Sequence, residues 1–270
     1  MTARRQEGPR PPVARVVHFI GAGPGSADLI TLRGARLLGL ADVVLHDALT
    51  DAGLRDLAPQ ARWVDVGKRG FKASAAQDHI NALLVGWAGR VQRVVRLKGG
   101  DPSLFGRLEE ELEALAAAGI ACEVVPGVTA ACAAAAQAQR PLTRRGRGRS
   151  VALTTAMTRE YDLQAARHAD TEVFYMAGRQ LGALQRRLLA AGWSACDPVL
   201  VVSCAGAPDA LVSPHQVQTL SQATALHAGR PTVVTVGVGA APLGEPIASP
   251  AGHKTLVPEG AQDRAPHPAP

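Results

Sequence analysis

Five short runs rich in β-branched residues punctuate the first half of the chain: VVHFI (16–20), DVVLH (42–46), WVDV (63–66), RVVRL (93–97) and CEVVP (122–126). Each is followed by a helical or loop stretch, and no other feature restricts the fold as much. Strands alternating with helices predict a parallel sheet covered by helices. After the fourth run, Leu108, Leu112 and Leu115 share one face while Glu109, Glu110 and Glu113 lie largely off it. That spacing predicts an amphipathic helix.

The alternation breaks at PLTRRGRGRS (141–150), where glycine, proline and four arginines interrupt it. Residues 141–149 therefore read as a linker. Strands resume at VALTT (151–155), EVFYM (172–176), PVLVV (198–202) and TVVTV (232–236), with a helix marked by Leu181, Leu184 and Leu188. The expectation is two α/β domains, 15–140 and 150–240. A polar leader (1–14) and a Pro/Ala-rich tail (241–270) flank them, and both read as disordered because neither can bury a core.

Composition narrows the function. No apolar stretch approaches the roughly 18–20 residues that span a bilayer, and MTARRQEGPRPP lacks the apolar core of a secretory signal. Cys122, Cys132, Cys196 and Cys204 are far apart with no C-x-x-C pair, so neither a metal site nor a disulfide framework is expected. They read as buried small hydrophobes in a reducing, cytoplasmic protein. A net charge of +6 favours a polyanionic partner, while only 3% aromatic residues leave few platforms for stacking bases. A small acidic ligand is favoured over nucleic acid, with RRGRGR taken as a solvated loop.

Two glycine-rich turns follow strands. GAGPGSADLIT (21–31) is not a dinucleotide fingerprint, because Ser26 stands where the third glycine belongs and Pro24 lacks an amide. It is either a ligand loop or a tight turn. In KGGDP, Gly99 and Gly100 open backbone angles closed to other residues, and Asp101 is stiffened by Pro102. An acid at a strand's carboxyl end suits an ammonium or sugar hydroxyls better than phosphate. The alternative is that Asp101 caps the next helix. Asp47 and Lys68 follow the second and third strands, on the edge where active sites of parallel sheets collect. His46 and His79 read as surface or structural.

GAGPGSADLITLRGARLL, VGKRG, RVVRLKGGDPSLFGR, EVVPGVTAACAAAA, PLT and VFYMAG together resemble the uroporphyrinogen-III C-methyltransferases, within the wider tetrapyrrole (corrin/porphyrin) methyltransferases. The resemblance runs from about Val16 to Val238. It implies two α/β domains with the active site in the cleft between them, S-adenosylmethionine as cofactor and a homodimer. By resemblance the cofactor positions are Pro24, Gly99, Gly100, Asp101, Leu104, Thr129, Ala130, Met176 and Ala205. The implied reaction methylates carbons 2 and 7 of uroporphyrinogen III to give precorrin-2, with Asp47 accepting a proton and Lys68 donating one. Arg69, Arg107, Arg144 and Arg145 are the expected readers of the substrate's carboxylates. Departures fall at substrate-facing and second-domain positions, including the second cofactor wall, while the cofactor loops of the first domain are intact. His46 and Ala48 replace a Tyr and an Arg, Arg144, Gly146 and Arg147 replace His, Asp and Tyr, and TTAM and Val202–Cys204 replace VTGH and VEN. A relative acting on a later corrin precursor and a non-catalytic binding paralogue are the rival readings.

Overall fold

The computed structural model describes residues 15–67, 73–156, 165 and 167–244. The leader, most of the tail, Lys68 and Arg69 lie outside the described residues. The first sheet contains β1 (Val16–Gly21), β2 (Val43–His46), β3 (Arg62–Asp65), β4 (Arg93–Lys98) and β5 (Ala121–Val125) in the order β3-β2-β4-β1-β5. Every pairing in it is parallel. Its strands lie within one or two residues of the runs read from sequence. Helices α1 (Leu32–Leu38), α2 (Ala73–Ala88) and α3 (Leu108–Ala117) accompany them, the first capped by Thr31 Oγ1 accepting from the Gly34 amide at 3.1 Å. Alternate residues of each central strand feed two cores, Ile20, Val44, Val95 and Leu97 on one face and Phe19, Leu45 and Val94 on the other. Burial on both faces is why these runs are continuously apolar.

The strand order fixes where a ligand can lie. From β1 the chain crosses to β2 on one side, and from the adjacent β4 it crosses to β5 on the other. Connections leaving neighbouring strands in opposite directions open a crevice at their carboxyl ends. Those ends carry the two glycine loops.

The second sheet comprises β6 (Val151–Thr155), β7 (Thr171–Tyr175), β8 (Pro198–Ser203), β9 (Leu211–Gln216) and β10 (Thr232–Gly237), ordered β6-β7-β10-β8-β9. Only β6–β7 is parallel; the other three pairings are antiparallel. The parallel expectation therefore holds for the first sheet alone. Strand β9, LVSPHQ, is absent from the strands expected above, because Pro214 argues against one. It is an edge strand, where a missing amide need not face a neighbour. Helix α5 (Leu181–Ala190) buries Leu181, Leu184 and Leu188 against Phe174, Trp193 and Val234.

Helix α4 (Ala130–Gln137) precedes the break at 141 yet packs Ala131, Ala133 and Ala134 against Val173, Leu200 and Val202 of the second sheet. Its run of alanines lets the helix approach closely, so α4 ties the two halves together. The expected linker is an ordered turn. Arg144 and Gly148 exchange backbone hydrogen bonds of 2.8 and 2.9 Å, and Gly146 takes a φ of 76°. The cysteine expectation is corrected: Cys122, Cys132 and Cys196 are exposed and Cys204 is half-buried. Edge strand β5 presents Cys122 to solvent, and Cys132 lines the open concavity between α4 and the loops of Asp28 and Ala207.

A chain of polar side chains crosses the second half. Arg230 Nε donates to Ser203 Oγ (3.0 Å), which contacts His227 Nδ1 (2.9 Å). His227 Nε2 and His215 Nε2 each lie 2.8 Å from Ser213 Oγ. One proton arrangement satisfies every link with both histidines neutral: Ser203 donates to His227, His227 to Ser213, and Ser213 to His215. Burial holds both imidazoles below their usual range, and for His227 the neighbouring His215 and Arg230 add to it. The unfolded chain binds protons from about pH 6.5 downward, before the fold does. Stability should therefore be level above that pH and fall as the solution is acidified through it. Urea midpoints at about pH 5 and pH 7.5 test this, with His227→Gln expected to flatten the difference.

Candidate functional site

The crevice is closed at its base by backbone alone. Ala22 N donates to Lys98 O at 2.8 Å, and Gly23 and Gly100 bond each other at 2.8 and 3.3 Å, joining the two glycine loops. A third loop, Pro126–Thr129, closes on both. A Cβ placed on Gly21 would lie 2.5 Å from Gly127 Cα and 2.7 Å from Gly100 O. Glycine is required there because three backbones meet.

Asp101 is the joint between them. Its Oδ1 accepts the Ser103 amide at 2.8 Å and its Oδ2 the Gly127 amide at 2.9 Å. The capping alternative is excluded, since α3 begins at Leu108 with Arg107 before it. Each oxygen keeps a lone pair, so a ligand donor can still be received, but the first task of Asp101 is to hold two loops in register.

The facing wall comes from the second half. Ser26 N donates to Gly206 O at 3.1 Å, Gly206 N to Gln137 Oε1 at 3.2 Å, and Thr129 Oγ1 contacts Tyr175 Oη at 2.6 Å. The Phe105 and Tyr175 rings meet at 5.0 Å between centroids, tilted 55° to each other. Phe105, Arg107, Met176 and Cys204 have φ between 51° and 56°, and all four line these loops. Left-handed backbone at non-glycine residues is strain that clusters at ligand sites. Phe105 and Met176 also leave 41% and 43% of their surface exposed. Pro24, Gly99, Gly100, Asp101, Leu104, Thr129, Ala130, Met176 and Ala205 are thus brought onto one set of contacting loops. Tyr175 belongs with them, although the sequence reading misses it; only its place beside Met176 at a strand end marks it.

These loops fit a phosphate-free nucleoside. The Gly127 and Ser26 amides, which a phosphate would need, are taken by Asp101 and Gly206, and Pro24 has none. The outer side of Gly99 is open, with nothing within 4 Å of where a Cβ would stand. Exposed apolar surface at Phe105 and Met176 suits a base, and free lone pairs at Asp101 suit hydroxyls or an ammonium.

Asp47 stands beyond β2, and its Oδ1 accepts from Arg96 Nη2 at 2.6 Å. Behind it runs a buried ladder. Arg96 Nε donates to Glu111 Oε1 at 3.0 Å, and Lys98 Nζ to Glu111 Oε2 at 2.8 Å. Gln77 Nε2 reaches Glu111 Oε1 at 3.3 Å. Burial opposes the charge on Arg96, but the carboxylates of Asp47 and Glu111 outweigh it and hold the guanidinium above its usual range. For Lys98, burial and the Arg96 charge prevail over Glu111 and push the ammonium down. The sequence reading misses the ladder, although it leaves signals. Arg96 and Lys98 interrupt an apolar strand at alternate positions, and Glu111 falls on the leucine face of α3.

Gly67, the last residue described before Lys68, packs against Ala48, so the VGKRG loop starts beside Asp47. His46 is half-buried, its Nδ1 on the Asp47 carbonyl at 3.1 Å, and His79 is exposed. The arginines depart from expectation. Arg107 is gripped by Glu110 through Nε and Nη2 at 2.7 and 2.6 Å. Arg144 donates to the carbonyls of Ala241 and Pro242 and serves the fold, so its assignment as a substrate reader is withdrawn. Arg145 is exposed on the turn. Among the described residues no cluster of His, Cys, Asp or Glu could hold a metal, and no helix is long and apolar enough to cross a membrane.

The profile of the tetrapyrrole (corrin/porphyrin) methylases matches residues 16–221. The chain belongs to this family. Siroheme synthase 1 of Serratia proteamaculans is 42% identical over 229 residues, covering 82% of this chain and 48% of its own length. Siroheme synthase of Azotobacter vinelandii is 40% identical, covering 85% and 51%. The chain thus spans about half the length of the curated relatives it matches. Among solved tetrapyrrole methylases, uroporphyrin-III C-methyltransferase from Thermus thermophilus, complexed with S-adenosylhomocysteine, superposes with a TM-score of 0.73 at 33% identity, covering 83% of this chain and 97% of that one. A cobalt precorrin-4 methyltransferase gives 0.74 at 29% identity, covering 84% and 96%.

Proposed function

We propose that this chain methylates uroporphyrinogen III at carbons 2 and 7 with S-adenosylmethionine as donor, giving precorrin-2, and works as a homodimer. The observation that carries the reading is the convergence of a phosphate-free, glycine-lined crevice with a partly exposed carboxylate, Asp47, that a buried arginine anchors at the carboxyl edge of the same sheet. The curated relatives and the Thermus structure support the substrate. When bound, S-adenosylmethionine supplies an electrophilic methyl group on a sulfonium.

The chain's own residues do the rest. Gly99, Gly100 and Asp101, with Pro24 and Leu104, would hold the sugar and amino-acid ends, and Thr129, Ala130, Met176 and Ala205 the remainder. Such positioning can supply roughly 7–11 kcal/mol of the barrier. Asp47 takes the proton that the macrocycle must lose, and Lys68 returns one. Arg69, Arg107 and Arg145 are the remaining candidates for the substrate's carboxylates, Arg107 on condition that Glu110 releases it.

Anaerobic incubation with uroporphyrinogen III and methyl-labelled cofactor tests this. A doubly methylated, oxidisable product is expected. Label transferred to a later corrin precursor supplied in a parallel incubation, and not to uroporphyrinogen III, would move the chain to the precorrin-4 branch of the family. Saturable binding of S-adenosylhomocysteine with no turnover on either would make it a binding paralogue.

A further inference from the structure

Glu111 has 0% of its surface exposed, yet it holds two cations, with the buried Gln77 beside it, on the face of the sheet whose core includes Phe19, Leu45, Leu84, Val94 and Leu115. Burying each ion costs several kcal/mol, and well-packed apolar side chains in their place are often as stable or more so. Stability does not explain the ladder. Its geometry does. Every nitrogen of the Arg96 guanidinium is engaged: Nε by Glu111, Nη1 by the carbonyls of Leu97 at 3.1 Å and Leu45 at 3.5 Å, and Nη2 by Asp47. A planar fork fixed at three corners cannot turn, so it fixes the carboxylate it holds. The side chains of Arg96, Lys98 and Glu111 are at most 3% exposed, whereas that of Asp47 is 36% exposed. The ladder has one end in the layer and one in the crevice, and its two carboxylates balance its two cations.

We propose that Glu111, which touches no ligand, is the positioning residue for Asp47: it locks Arg96, and Arg96 aims the carboxylate. The proposal rests on reading Asp47 as the proton acceptor. Glu111→Gln keeps the shape of the side chain and an acceptor for Arg96 but removes the charge that balances Lys98. In the full chain it should lower kcat by about tenfold or more, since misplacing a reacting group by about 1 Å can cost about 10²-fold. KM and the Kd for S-adenosylhomocysteine should stay at wild-type values. In an Asp47→Asn background the same change should have no further effect on kcat, because the group it acts through is already gone. A crystal structure of the variant should show the Asp47–Arg96 contact broken or displaced, a readout independent of turnover.

Wild-type kcat in Glu111→Gln, effects that multiply in the double variant, or an unmoved Asp47–Arg96 pair would each overturn the proposal. Should the single variant fail to fold, Glu111→Gln with Lys98→Met restores charge balance. There the proposal expects kcat recovered with the amide holding Arg96, and a folded but inactive double variant counts against it. A wild type inert toward uroporphyrinogen III sinks the substrate reading alone, since the crystallographic arm still decides the positioning.

Discussion

Asp47→Asn is expected to bind S-adenosylhomocysteine as tightly as the wild type while kcat for methyl transfer falls by about 10²–10⁴, the usual worth of a positioned proton acceptor. The asparagine oxygen can still accept from Arg96 Nη2, which lies 2.6 Å from the present carboxylate. Orientation is therefore largely kept and basicity is lost. The cofactor loops are untouched, because the described contacts of Asp47 run to Arg96, His46 and Thr50 and none to the glycine turns. Some stability will go as well, since the buried ladder is left with an extra positive charge. Calorimetric titration with S-adenosylhomocysteine alongside single-turnover labelling separates the two effects. An unchanged rate would remove Asp47 from the reaction and leave the acceptor to be sought elsewhere on the same rim.

How far the sequence alone reaches depends on whether the relevant physics is local. Strands β1, β2 and β4 are readable because burial on both faces favours β-branched runs, the edge strands β3 and β5 by their place in the strand–helix alternation, and the glycine loops because only glycine lets backbones touch. Strand β9 is not readable. Its residues alternate weakly and include Pro214, and what makes it a strand is pairing on one side with β8. The antiparallel pairings of the mixed second sheet are likewise a matter of long-range pairing that no local pattern announces.

The candidate site divides in the same way. Gly99, Gly100 and Asp101 carry their meaning in their own backbone and are found from it. Arg144 misleads because an arginine in a basic loop looks like a reader of anions, whereas its guanidinium is claimed by carbonyls nearly a hundred residues away. Glu111 hides among four glutamates in EELE and its neighbours. Only its coincidence with the face of Leu108, Leu112 and Leu115 separates a buried hub from a solvated charge.

Asp101→Ala should strike the opposite half of the mechanism. Removing the carboxylate leaves the Ser103 and Gly127 amides without an acceptor, at 2.8 and 2.9 Å from where its oxygens were. A hydrogen bond to a charged group is worth about 1.5–3 kcal/mol, so losing the Gly127 bond loosens the joint between the KGGDP and PGVT loops, and losing the Ser103 bond loosens the KGGDP turn itself. The alanine variant should still fold, because both sheets keep their ladders and cores. The cofactor would then have to order two loops that the wild type presents already ordered, and that cost appears in its affinity. The Kd for S-adenosylhomocysteine should rise at least about tenfold, with the larger share in a faster off-rate. At saturating cofactor, kcat should recover toward the wild-type value, the reverse of the Asp47→Asn pattern. A normal Kd in a folded variant would mean that the loops hold their register without Asp101. A kcat that stays low at saturation would mean that Asp101 also acts on the reacting groups, a role that its two amide contacts give no reason to expect.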